Sequence, residues 1–138
     1  MKHTGGCLCG EIAFEIDGNF ESFYLCHCER CRKDTGSAFA ANLFSSSASL
    51  RWLKGENKVK TYQLKSTRHI KSFCTNCGSA LPNIQMDGKL LVVPAGCLNS
   101  EVSIAPQGHI YFASKANWDK DLEKVLRFDQ LPSASTDF

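Results

Sequence analysis

Seven of the eight cysteines fall into three tight groups, Cys7-x-Cys9, Cys26-x-Cys28-x-x-Cys31 and Cys74-x-x-Cys77. Thiols two or three residues apart can converge on one ion, so this spacing reads as thiolate ligation of zinc rather than as a disulfide ladder. On an extended strand, Cys7 and Cys9 would project to the same side and present both sulfurs together. The run Cys74-Thr75-Asn76-Cys77-Gly78 has the form of a zinc knuckle, a turn in which two sulfurs meet and a glycine lets the backbone bend back beneath them.

Ligand number divides the cysteines. A structural zinc takes four protein ligands, and Cys7, Cys9, Cys74 and Cys77 supply four, tying the amino-terminal stretch to the middle of the chain. Cys26, Cys28 and Cys31 supply three, and three protein ligands with a fourth position open to water or a substrate thiol is the pattern of a catalytic zinc. Joining a doublet to the triplet would set five ligands competing for a tetrahedral ion. The expected complement is therefore two zinc ions per chain. Disulfides would need an oxidising compartment, yet residues 1–10 have no charged-then-apolar signal pattern and no apolar run is long enough to span a bilayer, which points to a cytoplasmic, non-membrane protein. Ferredoxin-type spacings for an iron–sulfur cluster are missing.

At 138 residues the chain has the length of one domain, here taken as 1–138, small enough for bound metal to contribute to folding. The formal charge of +2 counts every cysteine as neutral. Seven thiolates on two Zn²⁺ would bring it to about −1, and the cations are scattered rather than gathered in a block, which argues against nucleic acid as a partner.

The elements that must carry these thiols read as short strands between glycine and polar turns, a mainly β, largely antiparallel fold with little helix. Ile12, Phe14 and Ile16 alternate with Glu11, Ala13 and Glu15 up to an Asp17-Gly18 turn, as in a strand buried on one face. Residues 38–44, 58–64, 68–73, 90–93 and 109–112 read as further strands, with Asp87-Gly88 a hairpin turn before the fourth of these. Cys31 is expected on a short helical turn just after a strand carrying Cys26 and Cys28. Leu122, Val125 and Leu126 sit at helical spacing in residues 118–128, as in an amphipathic helix against the core. Residues 132–138 read as a loose tail.

Other residues invite less specific readings. His27 alternates away from Cys26 and Cys28, which suits a supporting role. His69 and His109 read as sheet residues, His109 with the option of carrying protons at a pocket. Cys97 reads as a small buried side chain. Phe39, Phe44, Phe112 and Trp118 read as core aromatics.

Gly6-Cys7-Leu8-Cys9-Gly10-Glu11-Ile12, Cys26-His27-Cys28-Glu29-Arg30-Cys31-Arg32-Lys33 and Phe73-Cys74-Thr75-Asn76-Cys77-Gly78-Ser79 together resemble the three signatures of the glutathione-dependent formaldehyde-activating enzyme family, which includes centromere protein V. The resemblance runs on through Gly36-Ser37-Ala38-Phe39, Pro94-Ala95-Gly96 and His109-Ile110 to Trp118, about residues 4–130. It implies a beta-tent stack of antiparallel sheets stapled by zinc, with a structural zinc on Cys7, Cys9, Cys74 and Cys77 and a reactive second zinc on Cys26, Cys28 and Cys31. The activity implied is that of S-(hydroxymethyl)glutathione synthase, the addition of glutathione to formaldehyde, which in reverse is a carbon–sulfur lyase reaction. Its partners are a small thiol and a small aldehyde. Arg30, Arg32 and Lys33 are the cations placed to pair with carboxylates of such a substrate, and Arg68 is a further one. Kinship with centromere protein V also allows a noncatalytic zinc module that binds a protein or nucleic acid.

Overall fold

Period-two burial is clearest near the amino terminus, where Phe14 and Ile16 are fully buried and their neighbours are not. The computed structural model describes residues 1–132, so all but the first residue of the expected loose tail lies outside the described residues. In chain order the strands are β1 (Lys2–Gly6), β2 (Ala13–Asp17) and β3 (Ser22–Cys26), followed by the helix α1 (Glu29–Thr35). Then come β4 (Ala40–Ser45), β5 (Ser49–Lys54), β6 (Val59–Gln63), β7 (Ile70–Cys74), β8 (Ala80–Leu81), β9 (Asn83–Gln85), β10 (Leu90–Pro94) and β11 (Gly108–Ile110).

These strands make three sheets, ordered β1-β2-β5, β11-β3-β4-β10-β9 and β6-β7-β8. Every pairing is antiparallel except β11 on β3, where His109 lies beside Leu25 and Ile110 beside Cys26. The fold is mainly β with one short α-helix among the described residues. No helix of these residues is long and apolar enough to cross a membrane.

The core forms where the sheets face one another. Ile12, Phe14 and Ile16 meet Phe23, Leu43 and Val93 there, all buried. Each such side chain contributes about 1.5–3 kcal/mol through removal from water. Phe14 also meets Trp52 of β5 edge-on at 5.7 Å, a cross-strand pair that fixes register.

Sequence patterning locates β2, β4, β6, β7, β10 and β11 to within a few residues, and the Asp87-Gly88 turn does connect β9 to β10, with Asp87 at φ 55° and Gly88 at φ 87°. The Asp17-Gly18 turn does end β2, and Gly18, at φ 133°, lets the chain leave the first sheet and enter β3 of the second. Other expectations fail for physical reasons. Strand β5 is not among the expected strands: its alternation is confined to half-buried Leu50 and Trp52, and Leu53 beside them is exposed, which breaks the period. Residues 118–128 hold only a single 3-10 turn, Leu122–Lys124, preceded by Asp121 in the left-handed region. Leu122, Val125 and Leu126 are 43%, 56% and 80% exposed, so no packed apolar face stabilises a helix there. Phe112 and Trp118 are likewise exposed rather than in the core, whereas Phe39 and Phe44 are half-buried.

His3, on β1, is buried against Phe20 with neither ring nitrogen partnered. Burial, aided by the α-amino charge, lowers its pKa from 6.5. The folded state holds it neutral and the unfolded state protonates it first, so its contribution to stability is intact above pH 6.5 and fades as pH falls below that value. His3→Leu is expected to flatten the loss of stability between about pH 7.5 and 5.5 and to raise stability by about 1 kcal/mol at the acid end. Parallel urea-melt pH profiles for the two proteins would contradict this.

Candidate metal centres

Two turns, far apart in sequence, build the first centre. Beyond β1 the chain does not stay extended through Cys7 and Cys9: the Gly10 N–H closes back onto the Cys7 carbonyl at 3.2 Å, with Gly10 at φ 80°. The knuckle at the end of β7 closes one residue wider, the Gly78 N–H meeting the Cys74 carbonyl at 2.8 Å, and again ends on a left-handed glycine, with Gly78 at φ 76°. A β-carbon at either glycine would be strained in this left-handed backbone, which is why the two turns end as they do.

The four sulfurs of Cys7, Cys9, Cys74 and Cys77 all lie within 4.8 Å of one another. Cys7 and Cys9 are 3.6 Å apart and Cys9 and Cys74 are 3.9 Å apart, near the roughly 3.8 Å edge of a tetrahedron of sulfurs at about 2.3 Å from a central ion. Backbone N–H groups point at the same sulfurs, Ile12 to Cys7 at 3.2 Å and Asn76 to Cys74 at 3.4 Å. Such donors favour thiolate over thiol. All eight cysteines are free thiols.

Ser79 is a contributor that spacing does not single out. Its Oγ accepts the Leu8 N–H at 2.9 Å and lies 3.2 Å from Cys77 Sγ, so one hydroxyl joins the two turns. Its side chain and its backbone N–H hold Cys77 down to a pKa of about 5. The position after a knuckle glycine, where a hydroxyl can turn back to the second sulfur, is the signal that would have found it.

The second centre sits where β3 ends. Cys26 is the last residue of that strand, and Cys28 is not on it: Cys28 is the N-cap of α1, at φ −64° and ψ 157°, its sulfur accepting the Cys31 N–H at 3.4 Å. Cys31 follows in the helix, which stops at Gly36 in the left-handed region. All three sulfurs lie within 4.8 Å. Burial and its two thiol neighbours push Cys31 up, and burial raises Cys26. Cys28 is also pushed up by burial, but hydrogen bonds led by the Cys31 N–H bring it below the ordinary thiol value. Full ionisation of this trio requires a cation among the sulfurs, and so the donor chemistry of both clusters fits a metal ion.

Flanking residues fix the trio in place. His27 is buried, with Nδ1 3.0 Å from Asp119 Oδ2 and Nε2 2.8 Å from Nδ1 of His109 on β11. Its ring packs on Phe39 and Phe112. On the other flank, Asp34 of α1 holds His69 at 2.8 Å and Lys71 of β7 at 3.2 Å, which clamps the helix to the third sheet. His69 precedes β7 rather than lying in a sheet. Cys97 belongs to neither cluster; burial raises its pKa to about 12, as for an inert packing thiol.

Between α1, β4 and β7 lies a cavity of about 200 Å³ whose lining includes Cys31, Asn42, Arg68, His69 and Lys71. Arg30 and Lys33 are exposed on α1 and Arg32 is half-buried, and none of these three lines the cavity.

The family model described as glutathione-dependent formaldehyde-activating enzyme matches residues 2–114. Among solved structures, a Rhodobacter sphaeroides protein determined as a structural genomics target is similar in fold, with a TM-score of 0.54 and 23% identity, covering 77% of this chain and 98% of that one.

Two outcomes follow from this geometry. Ser79→Ala is expected to weaken metal retention at the four-thiol cluster about tenfold in a chelator competition, and unchanged retention would remove Ser79 from the site. Asp34→Ala, which strips Lys71 and His69 of their shared partner, is expected to cost about 1–2 kcal/mol in urea unfolding.

Proposed function

The chain belongs to the glutathione-dependent formaldehyde-activating enzyme family, and from that premise we propose that it is a carbon–sulfur lyase-type enzyme that adds a thiol such as glutathione to formaldehyde or another small aldehyde and reverses that addition. The observation that carries this reading is the three-thiol cluster whose Cys31 also lines the cavity between α1, β4 and β7. In this reading Cys7, Cys9, Cys74 and Cys77 hold a structural zinc, and Cys26, Cys28 and Cys31 hold a second one. Zinc on three thiolates supplies a position where a substrate thiol is stabilised as thiolate near neutral pH, the −3 of the sulfurs leaving it a weak Lewis acid.

The protein's own contribution is chiefly positional. The β3 end and the first turn of α1 hold the three sulfurs together with Cys31 in the cavity wall, and His27, placed between Asp119 and His109, anchors the segment that joins Cys26 to Cys28. Asn42, Asn83 and Gln85 line the cavity wall and offer hydrogen bonds to a substrate's amide groups. Holding thiol and aldehyde together converts a bimolecular encounter into a local one, which is the main acceleration available to a reaction that also proceeds in free solution. Reduced thiols in both clusters suit a cytoplasmic setting.

Metal analysis of the native protein is expected to give two zinc ions per chain, and one would remove the second centre. Exchange spectroscopy on a formaldehyde and glutathione mixture is expected to show faster exchange on adding the zinc-loaded protein. Cys28→Ser should lower that acceleration by at least about 100-fold with the fold retained, whereas Cys74→Ser should unfold the chain. Equal effects of the two substitutions on folding would contradict this division of labour.

A further inference from the structure

We propose that Arg68 is the specificity-determining residue of this enzyme, gripping a carboxylate of the thiol substrate at the outer end of the cavity that Cys31 lines. This inference rests on the reading that the substrate sulfur sits at the three-thiol cluster. The cavity beside Cys31 adjoins a second one of about 390 Å³, and the two share Arg68, Ile70 and Gln85 in their walls. A ligand with its sulfur at the inner end therefore passes Arg68 on its way out.

Charge bookkeeping along the groove singles out this guanidinium. In the inner part, Asp34 is already matched by His69 and Lys71, and the Lys71 ammonium also donates to the Asp34 carbonyl. In the outer part the charged groups are Arg68, Asp87 and Lys89. Asp87 offsets one cation, which leaves a net positive charge there. Arg68 has no ion pair or hydrogen bond among the described residues, so its planar fork is free for the bidentate contact that carboxylates favour. Asn42, Asn83 and Gln85 line the path between, a run of carboxamides suited to peptide groups rather than to a bare alkyl thiol.

The distance between the two ends is built into the fold. Arg68 lies in the β6–β7 turn, where the Leu64 N–H meets the His69 carbonyl at 3.0 Å and the Thr67 hydroxyl meets the Leu64 carbonyl at 2.8 Å. Gln63 Nε2 adds a bond to the Thr67 carbonyl at 2.9 Å. His69, one residue on, is anchored to Asp34, one turn beyond Cys31 on α1. The same clamp that docks the helix thus sets how far the carboxylate must lie from the sulfur.

S-methylglutathione is the probe, because it keeps the carboxylates but has no thiol to offer a metal. In calorimetric titration of the zinc-loaded chain, Arg68→Gln is expected to bind it about tenfold more weakly than the wild type, Arg68→Lys to lie between them, and Arg30→Gln to match the wild type. The diethyl ester of the probe should bind wild type and Arg68→Gln alike, at about the level of the acid on Arg68→Gln. Equal binding of acid and ester by the wild type, or no binding of the acid at all, overturns the assignment without need of any variant. Failure of the enzyme reading looks different: the wild type would leave formaldehyde–glutathione exchange unaccelerated while the probe still bound in an Arg68-dependent way, which upholds the carboxylate contact and strikes only the reaction.

Discussion

The convergence of four sulfurs from Cys7, Cys9, Cys74 and Cys77 is the constraint on which the rest of the architecture depends. It joins segments 65 residues apart in sequence and so fixes the end of β1 against the end of β7, two strands that belong to different sheets. In a small chain, closing so long a loop costs entropy that ordinary surface contacts do not return. Here the return comes from sulfurs, N–H donors and the Ser79 hydroxyl packed between two facing turns. Once those turns meet, the first sheet delivers Phe14 and Ile16 of β2 to the core and the third is placed to form one wall of the groove.

The second cluster depends on that wall rather than on chain closure. Its three cysteines span only a strand end and the first turn of a seven-residue helix, too short to be stable alone. What holds the helix is tertiary: Asp34 to His69 and Lys71 on one flank, and His27 to Asp119 and His109 on the other. The parallel pairing of β11 with β3 delivers His109 and Ile110 to this place, and the His27 N–H caps the arrangement by bonding the Ile110 carbonyl at 2.9 Å. A distant loop carrying Asp119 and a short edge strand thus position thiols with which they share no local sequence motif.

The β class, the groups of cysteines and most strand positions were legible in the sequence because they follow from local rules: period-two alternation, turn glycines and ligand spacing. Phe14 and Ile16 alternate and are buried; the glycine that follows Cys74-x-x-Cys77 is indeed left-handed. The helix expected at residues 118–128 shows the limit of such rules. Leu122, Val125 and Leu126 have helical spacing, but spacing yields a helix only when another surface buries the apolar face, and here Asp119 is committed to His27 instead. Which cations line the cavity is likewise a long-range matter: Arg30 and Lys33, nearest the thiols in sequence, are exposed on α1 and outside its lining, while Arg68 of the β6–β7 turn and Lys71 of β7 line it.

Sequence by itself determined which atoms could bind metal, since thiol chemistry and a spacing of two or three residues are local properties that no distant contact has to supply. Only the tertiary structure decided which turns meet, which hydroxyl and imidazoles support them, and which cations share a cavity with Cys31. Those outcomes turn on strand order, on a parallel edge pairing and on buried partners such as Asp34 and Asp119, and such long-range choices leave no periodic trace along the chain.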